Sequence, residues 1–163
     1  GIRDQPRSRG LGDVYKRQPY WDMYAKGLII GISRDTNKSD IIKATLDSIA
    51  YQTKDVLTSM EKDTKSKINL LKVDGGASNN NYLMQFQSNI LGVKIERPQN
   101  TEVTALGAAY IAGLLCSFWD INHLKNLKYA KENFNPEFDS DKINKLYQTW
   151  NNAVKRSMNW IKD

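Results

Sequence analysis

The spacing of apolar positions along the chain changes repeatedly, and each change marks an element. Ile42, Leu46, Ile49, Val56 and Met60 recur at helical intervals, with Ser39 and Asp40 supplying a cap and a first-turn acid. They predict a long amphipathic helix from about Ser39 to Glu61. Ile68 to Val73 predicts a strand that ends abruptly in Asp74-Gly75-Gly76-Ala77-Ser78. A second helical pattern, with Leu83, Phe86 and Ile90, starts near Asn79 and stops at Gly92. Val93 to Glu96 predicts a further strand, broken by Pro98, and Thr104 to Leu115 predicts a helix whose Ala and Gly residues suit close packing on a sheet. After Trp119 the sequence turns polar and loop-like. Asp139-Ser140 then caps a terminal helix carrying Ile143, Tyr147, Trp150, Val154, Met158 and Ile161 on one stripe, expected to dock on the domain. Nearer the start, Gly27-Leu28-Ile29-Ile30-Gly31-Ile32 is an apolar run expected to be a buried strand or loop.

Strands and helices that alternate with short connections indicate an α/β layered domain. Residues 1–18 show no periodicity and scattered Gly and Pro, so they are expected to be a disordered, non-native leader, with the domain proper at residues 19–163. The leader also changes the meaning of the charge. Of the net +6, Arg3, Arg7, Arg9, Lys16 and Arg17 against Asp4 and Asp13 contribute +3, which leaves +3 for everything after residue 18. No basic and aromatic interleaving or recognition helix accompanies it, so nucleic acid is not an expected partner. No apolar run approaches the roughly 20 residues of a membrane span, and no secretory signal opens the chain, so a soluble cytoplasmic protein without a membrane partner is expected.

The chemistry-bearing spot is Asp74-Gly75-Gly76 at a strand-to-helix junction. Glycines let a ligand approach the backbone, and a helix start offers unpaired amides to anionic groups. The same pair of glycines also serves a plain tight turn, and Asn79, Asn80 and Asn81 suit either a base or ribose edge or helix capping. Spacing does not choose between these. The other features read as structural. Cys116 is expected to be a small buried thiol, and His123, without a second ligand, a surface or packing residue. Tyr20, Trp21 and Tyr24 are expected to be core wedges. Lys62, Lys65 and Lys67, and likewise Lys125, Lys128 and Lys131, are expected to be solvated.

A resemblance adds to this. The run Gly27 to Ile32, followed by Asp40-Ile41 and Ala44-Thr45-Leu46-Asp47, resembles the carboxy-terminal signature of the FGGY carbohydrate kinases. The segments PYWD, ATLDSIAYQTKDVL, VDGGASNNNYLMQFQSNILG, ERPQNTEVTALGAAYIAGL and AVKRSMNW are similar, in that order, to the branch of the family that acts on glycerol. Met23 departs from a usual proline, and Lys26 from a common arginine. The resemblance implies a fold related to actin and hexokinase, ribonuclease H-like, with ATP in a cleft between two domains and this chain as the incomplete carboxy-terminal portion of the second. It implies that Gly76 and Ala77 lie against the nucleotide, that Asn80 reaches the adenine end, that Gly75 answers mainly to the turn, and that the Ala-Leu-Gly-Ala-Ala helix buttresses the wall. Asp74 is expected to fix the loop by accepting backbone hydrogen bonds. The implied reaction is transfer of the γ-phosphoryl of MgATP to the terminal hydroxyl of glycerol, by a homo-oligomer in its full-length form; a xylulose or gluconate kinase is the nearest alternative. The base, magnesium and glycerol motifs lie upstream of Pro19 in the family order, so no catalytic residue or metal ligand is assigned here, and Asp22 and Asp35 are expected to be merely solvated.

Overall fold

The computed structural model describes residues 22, 25–100, 102–127 and 131–159. Tyr20, Trp21, Tyr24, Lys128, Ile161 and the leader at 1–18 lie outside the described residues. In chain order the elements are α1 (Lys38–Thr64), β1 (Leu70–Lys72), a short 3-10 helix (Gly76–Asn79), α2 (Asn81–Leu91), β2 (Lys94–Pro98), α3 (Val103–Leu115), α4 (Ile121–Asn126), β3 (Lys131–Phe134) and α5 (Ser140–Ser157). They form two compact units, one from the residues up to Lys67 together with those from Asn144 onward, the other Ile68–Ile143.

In the unit Ile68–Ile143 the sheet has the order β1-β2-β3. β1 and β2 are parallel, with Leu71 opposite Ile95, and β2 and β3 are antiparallel, with Ile95 opposite Phe134 and Arg97 opposite Glu132. Side chains alternate across a strand, so Leu71, Ile95, Arg97, Glu132 and Phe134 share one face and Leu70, Lys72, Lys94, Glu96, Pro98 and Lys131 the other. α2 covers the first face. Leu83, Met84, Phe86 and Ile90 on the helix, with Val93 and Ile95, make the buried core, and Ile95 and Ile90 have no exposed surface. As expected, α2 ends at Gly92, whose φ of 68° is a left-handed cap. Polar groups in this layer are paired: the Ser88 hydroxyl lies 2.8 Å from the Val93 carbonyl and 3.0 Å from that of Phe134, and Asn89 Oδ1 accepts from the Glu137 amide at 2.7 Å.

Several expectations are corrected here. β3 and α4 fall in the stretch taken as loop. β3 reads Lys-Glu-Asn-Phe, an edge strand without the apolar alternation that would announce it. Pro98 does not precede a break but is the last residue of β2, paired with Lys131 at the point where its missing N–H costs no further ladder bond. α3 has no buried residue, so it does not sit close on the sheet, and Cys116 after it is exposed rather than buried. Trp119 folds back on α3 instead, donating to the Tyr110 carbonyl at 3.1 Å and lying against Gly113, where the indole leaves no room for a Cβ.

In the other unit, Asn37 rather than Ser39 caps α1. Its Oδ1 accepts from the Ser39 and Asp40 amides while Asp40 Oδ2 accepts from the Asn37 amide, a reciprocal capping box. Of the stripe, Ile42, Ile49 and Met60 are exposed while Leu46 and Val56 are half-buried, and the face that α1 buries is Ala50, Asp55 and Leu57. Asp55 is the anchor for α5: Tyr147 donates its hydroxyl to Oδ1 at 2.5 Å and Trp150 its Nε1–H to Oδ2 at 2.9 Å. Tyr51 stacks on Trp150 with centroids 5.2 Å apart, and the Lys54 ammonium lies 4.9 Å from the Tyr147 ring centroid. Tyr147, Trp150 and Val154 on α5, and Met158 just past its end, are half-buried, as expected of a docked helix; Ile143, also half-buried, and the Asp139 cap, accepting from the Lys142 amide at 2.7 Å, belong to the unit Ile68–Ile143. The run Leu28 to Ile32 forms neither a strand nor a buried loop; Ile29, Ile30 and Ile32 are about 60 % exposed, because no described residue pairs with or covers it (64, 59 and 62 %).

Burial pushes the Asp55 carboxyl above the usual carboxylate range, against the hydrogen bonds from Tyr147 and Trp150 and the Lys54 charge, which pull it down. A carboxyl whose folded value is raised contributes stability fully below its unfolded value, about 3.9, and loses it as pH rises through the folded one. Asp55→Asn removes that titration. The difference in thermal midpoint between the parent and Asp55→Asn, followed by circular dichroism, is expected to move in the variant's favour as pH rises from about 4 through this window; a shift in the parent's favour would contradict the assignment. Asp55→Ala strands two donors and is expected to cost about 1–3 kcal/mol.

Candidate functional site

The loop between β1 and α2 is built by a few local constraints. The Val73 amide makes the last ladder bond, to the Glu96 carbonyl at 3.0 Å, and the chain then turns at Gly75 with φ 79° and ψ 171°, a region that only glycine enters without strain. A single 3-10 turn follows. The Ser78 amide and hydroxyl both donate to the Gly75 carbonyl, at 3.1 and 2.7 Å, and the Asn80 amide donates to the Ala77 carbonyl at 3.2 Å. Asn80 leaves the turn in extended conformation and caps α2, its Oδ1 accepting from the Leu83 amide at 3.0 Å.

This arrangement brings Gly75, Gly76, Ala77 and Asn80 onto one short crook. Ser78 is buried inside it, while Gly76, Ala77, Asn79 and Asn80 are exposed. A Cβ built on Gly75 or Gly76 meets nothing within 4 Å, so open space borders the backbone where a ligand would have to approach. The crook therefore presents exposed backbone at Gly76 and Ala77 and the exposed Asn80 side chain, with open space beside its glycines. The role expected of Asp74 belongs to Ser78, which closes the loop; Asp74 lines a neighbouring cavity.

That cavity, about 680 Å³, lies between α3 and the sheet face opposite α2. Val103, Leu106, Gly107 and Tyr110 of α3 and Pro98 give it an apolar wall, and Lys72, Asp74, Glu96 and Lys131 are charged groups along its sheet side. Lys131 is thus not simply solvated. It pairs with Glu96 at 3.1 Å, with Lys94 at 3.5 Å on the same carboxylate, and the Lys131 hydrogen bond is the main cause holding the Glu96 carboxyl below its usual range. The cavity reaches the crook only as far as Asp74. Asp22 accepts from the Asn159 amide at 2.5 Å and so is not simply a solvated acid, Asp35 sits in an exposed turn, and His123 is exposed on α4. Among the described residues no group of three or more His, Cys, Asp or Glu side chains is placed to hold a metal.

Sequence reasoning passed over Arg97. It is 7 % exposed, and its guanidinium donates to the Ser78 carbonyl, to Asn81 Oδ1 at 2.7 Å and to Glu132, with the Phe134 ring centroid 5.1 Å away. The signal was present: Val93, Ile95 and Arg97 alternate onto the core face, and a charge at a core position of a strand must find buried partners.

The chain belongs to the FGGY family of carbohydrate kinases, whose C-terminal domain matches residues 13–116. More particularly, it is 49 % identical over 164 residues to a glycerol kinase of Haemophilus influenzae, and 50 % identical over 165 residues to one of Thermoanaerobacter sp. (strain X514). Each alignment takes in 100 % of this chain and 32 % of the relative, so the chain spans about a third of the length of these curated relatives. Among solved structures it is similar to the Plasmodium falciparum glycerol kinase with ADP, at 35 % identity and a TM-score of 0.74 over 88 % of this chain and 28 % of that one. A xylulose kinase from Lactobacillus acidophilus, 22 % identical with a TM-score of 0.63 over 86 % of this chain and 30 % of that one, shares the fold alone. The fold is accordingly the carboxy-terminal portion of the actin and hexokinase-like ATPase architecture of these kinases.

The two glycines are expected to separate in stability measurements. Gly75→Ala places a Cβ in a glycine-only conformation and should cost about 1–3 kcal/mol in urea denaturation. Gly76→Ala, with a φ that is not positive and open space around it, should stay within about 0.5 kcal/mol of the parent.

Proposed function

We propose that this chain forms the adenine-nucleotide wall of an ATP-dependent glycerol kinase, which transfers the γ-phosphoryl of ATP to the terminal hydroxyl of glycerol and gives sn-glycerol 3-phosphate and ADP. The observation that carries the proposal is the exposed crook at Gly75–Asn80, open beside its glycines, in a chain that matches proteins named glycerol kinase along its whole length. In it Gly75 sets the turn, Gly76 and Ala77 present backbone to the nucleotide, and the Asn80 side chain hydrogen-bonds its adenosine end. Asn80 can do this while capping α2, because the cap uses only Oδ1 and leaves the Nδ2 donors for a ligand.

We assign no magnesium ligand within this chain. Magnesium, the carboxylate that takes the proton of the glycerol hydroxyl, and the glycerol contacts are assigned to polypeptide corresponding to the remaining length of the relatives, so the chain alone is proposed to bind nucleotide without turning substrate over. The full-length enzyme is proposed to act as a homo-oligomer in the cytoplasm, where ATP is the donor; no helix among the described residues is long and apolar enough to cross a membrane.

Binding of N-methylanthraniloyl-ADP, followed by fluorescence, tests the crook. Gly76→Ala fills the space a nucleotide would use without straining the chain, and Asn80→Ser keeps a good cap while shortening the side chain. Both are expected to fold like the parent and to bind at least about tenfold more weakly, the loss of roughly one ligand hydrogen bond or close contact. Unchanged affinity in both would move the nucleotide elsewhere. Assay of the full-length enzyme across polyols and ketoses tests the substrate: turnover of a pentulose with none of glycerol would replace glycerol by a sugar.

A further inference from the structure

The geometry points to Arg97 as a positioning residue for the nucleotide crook, clamping it from behind through its own backbone; this rests on the nucleotide assignment above. The crook is exposed and glycine-rich, and such a segment left to itself samples many conformations. Its outward residues, Gly76, Ala77 and Asn80, carry no side-chain bond to the body of the unit beyond the Asn80 cap on its own helix. The contacts that tie it down come from its buried side, and they converge on one guanidinium. Arg97 donates through one nitrogen to the Ser78 carbonyl, at the inner corner of the 3-10 turn, and through the other to Asn81 Oδ1, at the first residue of α2.

Those two acceptors bracket Asn79 and Asn80, so a planar, rigid donor fixes the segment at both ends. Glu132 of β3 accepts from the same guanidinium, and Phe134 of β3 lies near it at 5.1 Å. A charge-assisted chain thus runs from the edge strand through Arg97 into the crook. Its effect is preorganisation. With the Ser78 carbonyl engaged inward, the peptide that follows cannot rotate, and the backbone and Asn80 are held ready for a nucleotide instead of being ordered at the expense of binding. Lysine cannot substitute, since its single ammonium does not present a planar fork to two separated acceptors.

The test uses the whole 163-residue chain. Arg97→Lys and Glu132→Gln are compared with the parent by hydrogen exchange at the Ser78 and Asn80 amides, by thermal midpoint, and by affinity for N-methylanthraniloyl-ADP. Arg97→Lys is expected to raise exchange at those two amides and to weaken binding, each by about tenfold, while the Val73 amide of the ladder keeps its protection. Glu132→Gln, which leaves the fork but removes its counter-charge, should shift both in the same direction by a smaller factor, about two to three. A purely structural role would lower the thermal midpoint and loosen Val73 together with the crook, and that result overturns the proposal. So does a folded Arg97→Lys that binds nucleotide as the parent does. A parent that binds no nucleotide removes the assignment on which the role rests, and is told apart because the failure is then seen before any substitution. If Arg97→Lys shows no cooperative transition, Glu132→Gln decides by the same measurements.

Discussion

Parallel pairing of β1 with β2 is the constraint from which the rest of the unit Ile68–Ile143 follows. Antiparallel neighbours can be joined by a tight hairpin, but parallel ones require the chain to cross back over a face of the sheet, and here α2 makes the crossing. Crossing commits α2 to covering that face, which buries Leu83, Phe86 and Ile90 on Ile95 and leaves the opposite face to its charged residues. It also brings both strands to an end on the same side. The crook after β1 and Arg97 near the end of β2 are therefore neighbours by topology, and the contact between them needs no long side-chain excursion. Ligand sites in open α/β sheets gather at this carboxyl edge for the same reason.

The other unit rests on polar burial instead. Asp55 is nearly buried on α1, and its cost is offset by two donors from α5, one on each carboxylate oxygen, spaced at i and i+3 on that helix. Apolar packing alone fixes the angle and register of two helices loosely. A carboxylate that must meet Tyr147 and Trp150 at once permits one register, so the pair buys specificity at some expense in stability. This also explains why α1 turns Asp55 and Ala50 inward and leaves Ile42, Ile49 and Met60 outside: the face with the hydrogen-bonding residue is the one for which α5 supplies a match.

What was legible in the sequence was whatever depends on local periodicity. α2, its Gly92 stop, β1, α3, the Asp139 cap and the α5 stripe are set by residues within a turn or two of one another, and each stood where the pattern placed it. The misses are non-local. β3 is a strand only because β2 offers it an edge, and nothing in Lys-Glu-Asn-Phe announces that. Leu28 to Ile32 and the far side of α3 have the composition of covered surface, but apolar composition states that a face suits burial without naming what buries it, and among the described residues nothing does. Within the site, the glycine crook was visible as a strand followed by glycines and capping residues, and the family resemblance supplied the nucleotide proposed for it. Arg97 was hidden because its partners lie in the loop before α2 and on β3, so only the alternation of Val93, Ile95 and Arg97 hinted that it faces inward.

In the crook the groups that folding engages differ from those left for the proposed ligand. Folding claims its inner groups: the Gly75 carbonyl for Ser78, the Ser78 carbonyl for Arg97, and Asn80 Oδ1 for the start of α2. What remains outside includes the amides of Gly76 and Ala77 and the Nδ2 of Asn80, which are donors, beside the exposed Asn79 side chain, which offers both a donor and an acceptor. Donors beside glycines that carry no side chain to crowd them suit the acceptor-rich groups of the ligand proposed above. Because the Gly75 and Ser78 carbonyls and Asn80 Oδ1 are engaged internally, the fold itself takes these three acceptors away from the surface of the crook. Loosening the inner bonds would therefore change what the crook can recognise as well as how firmly it is held.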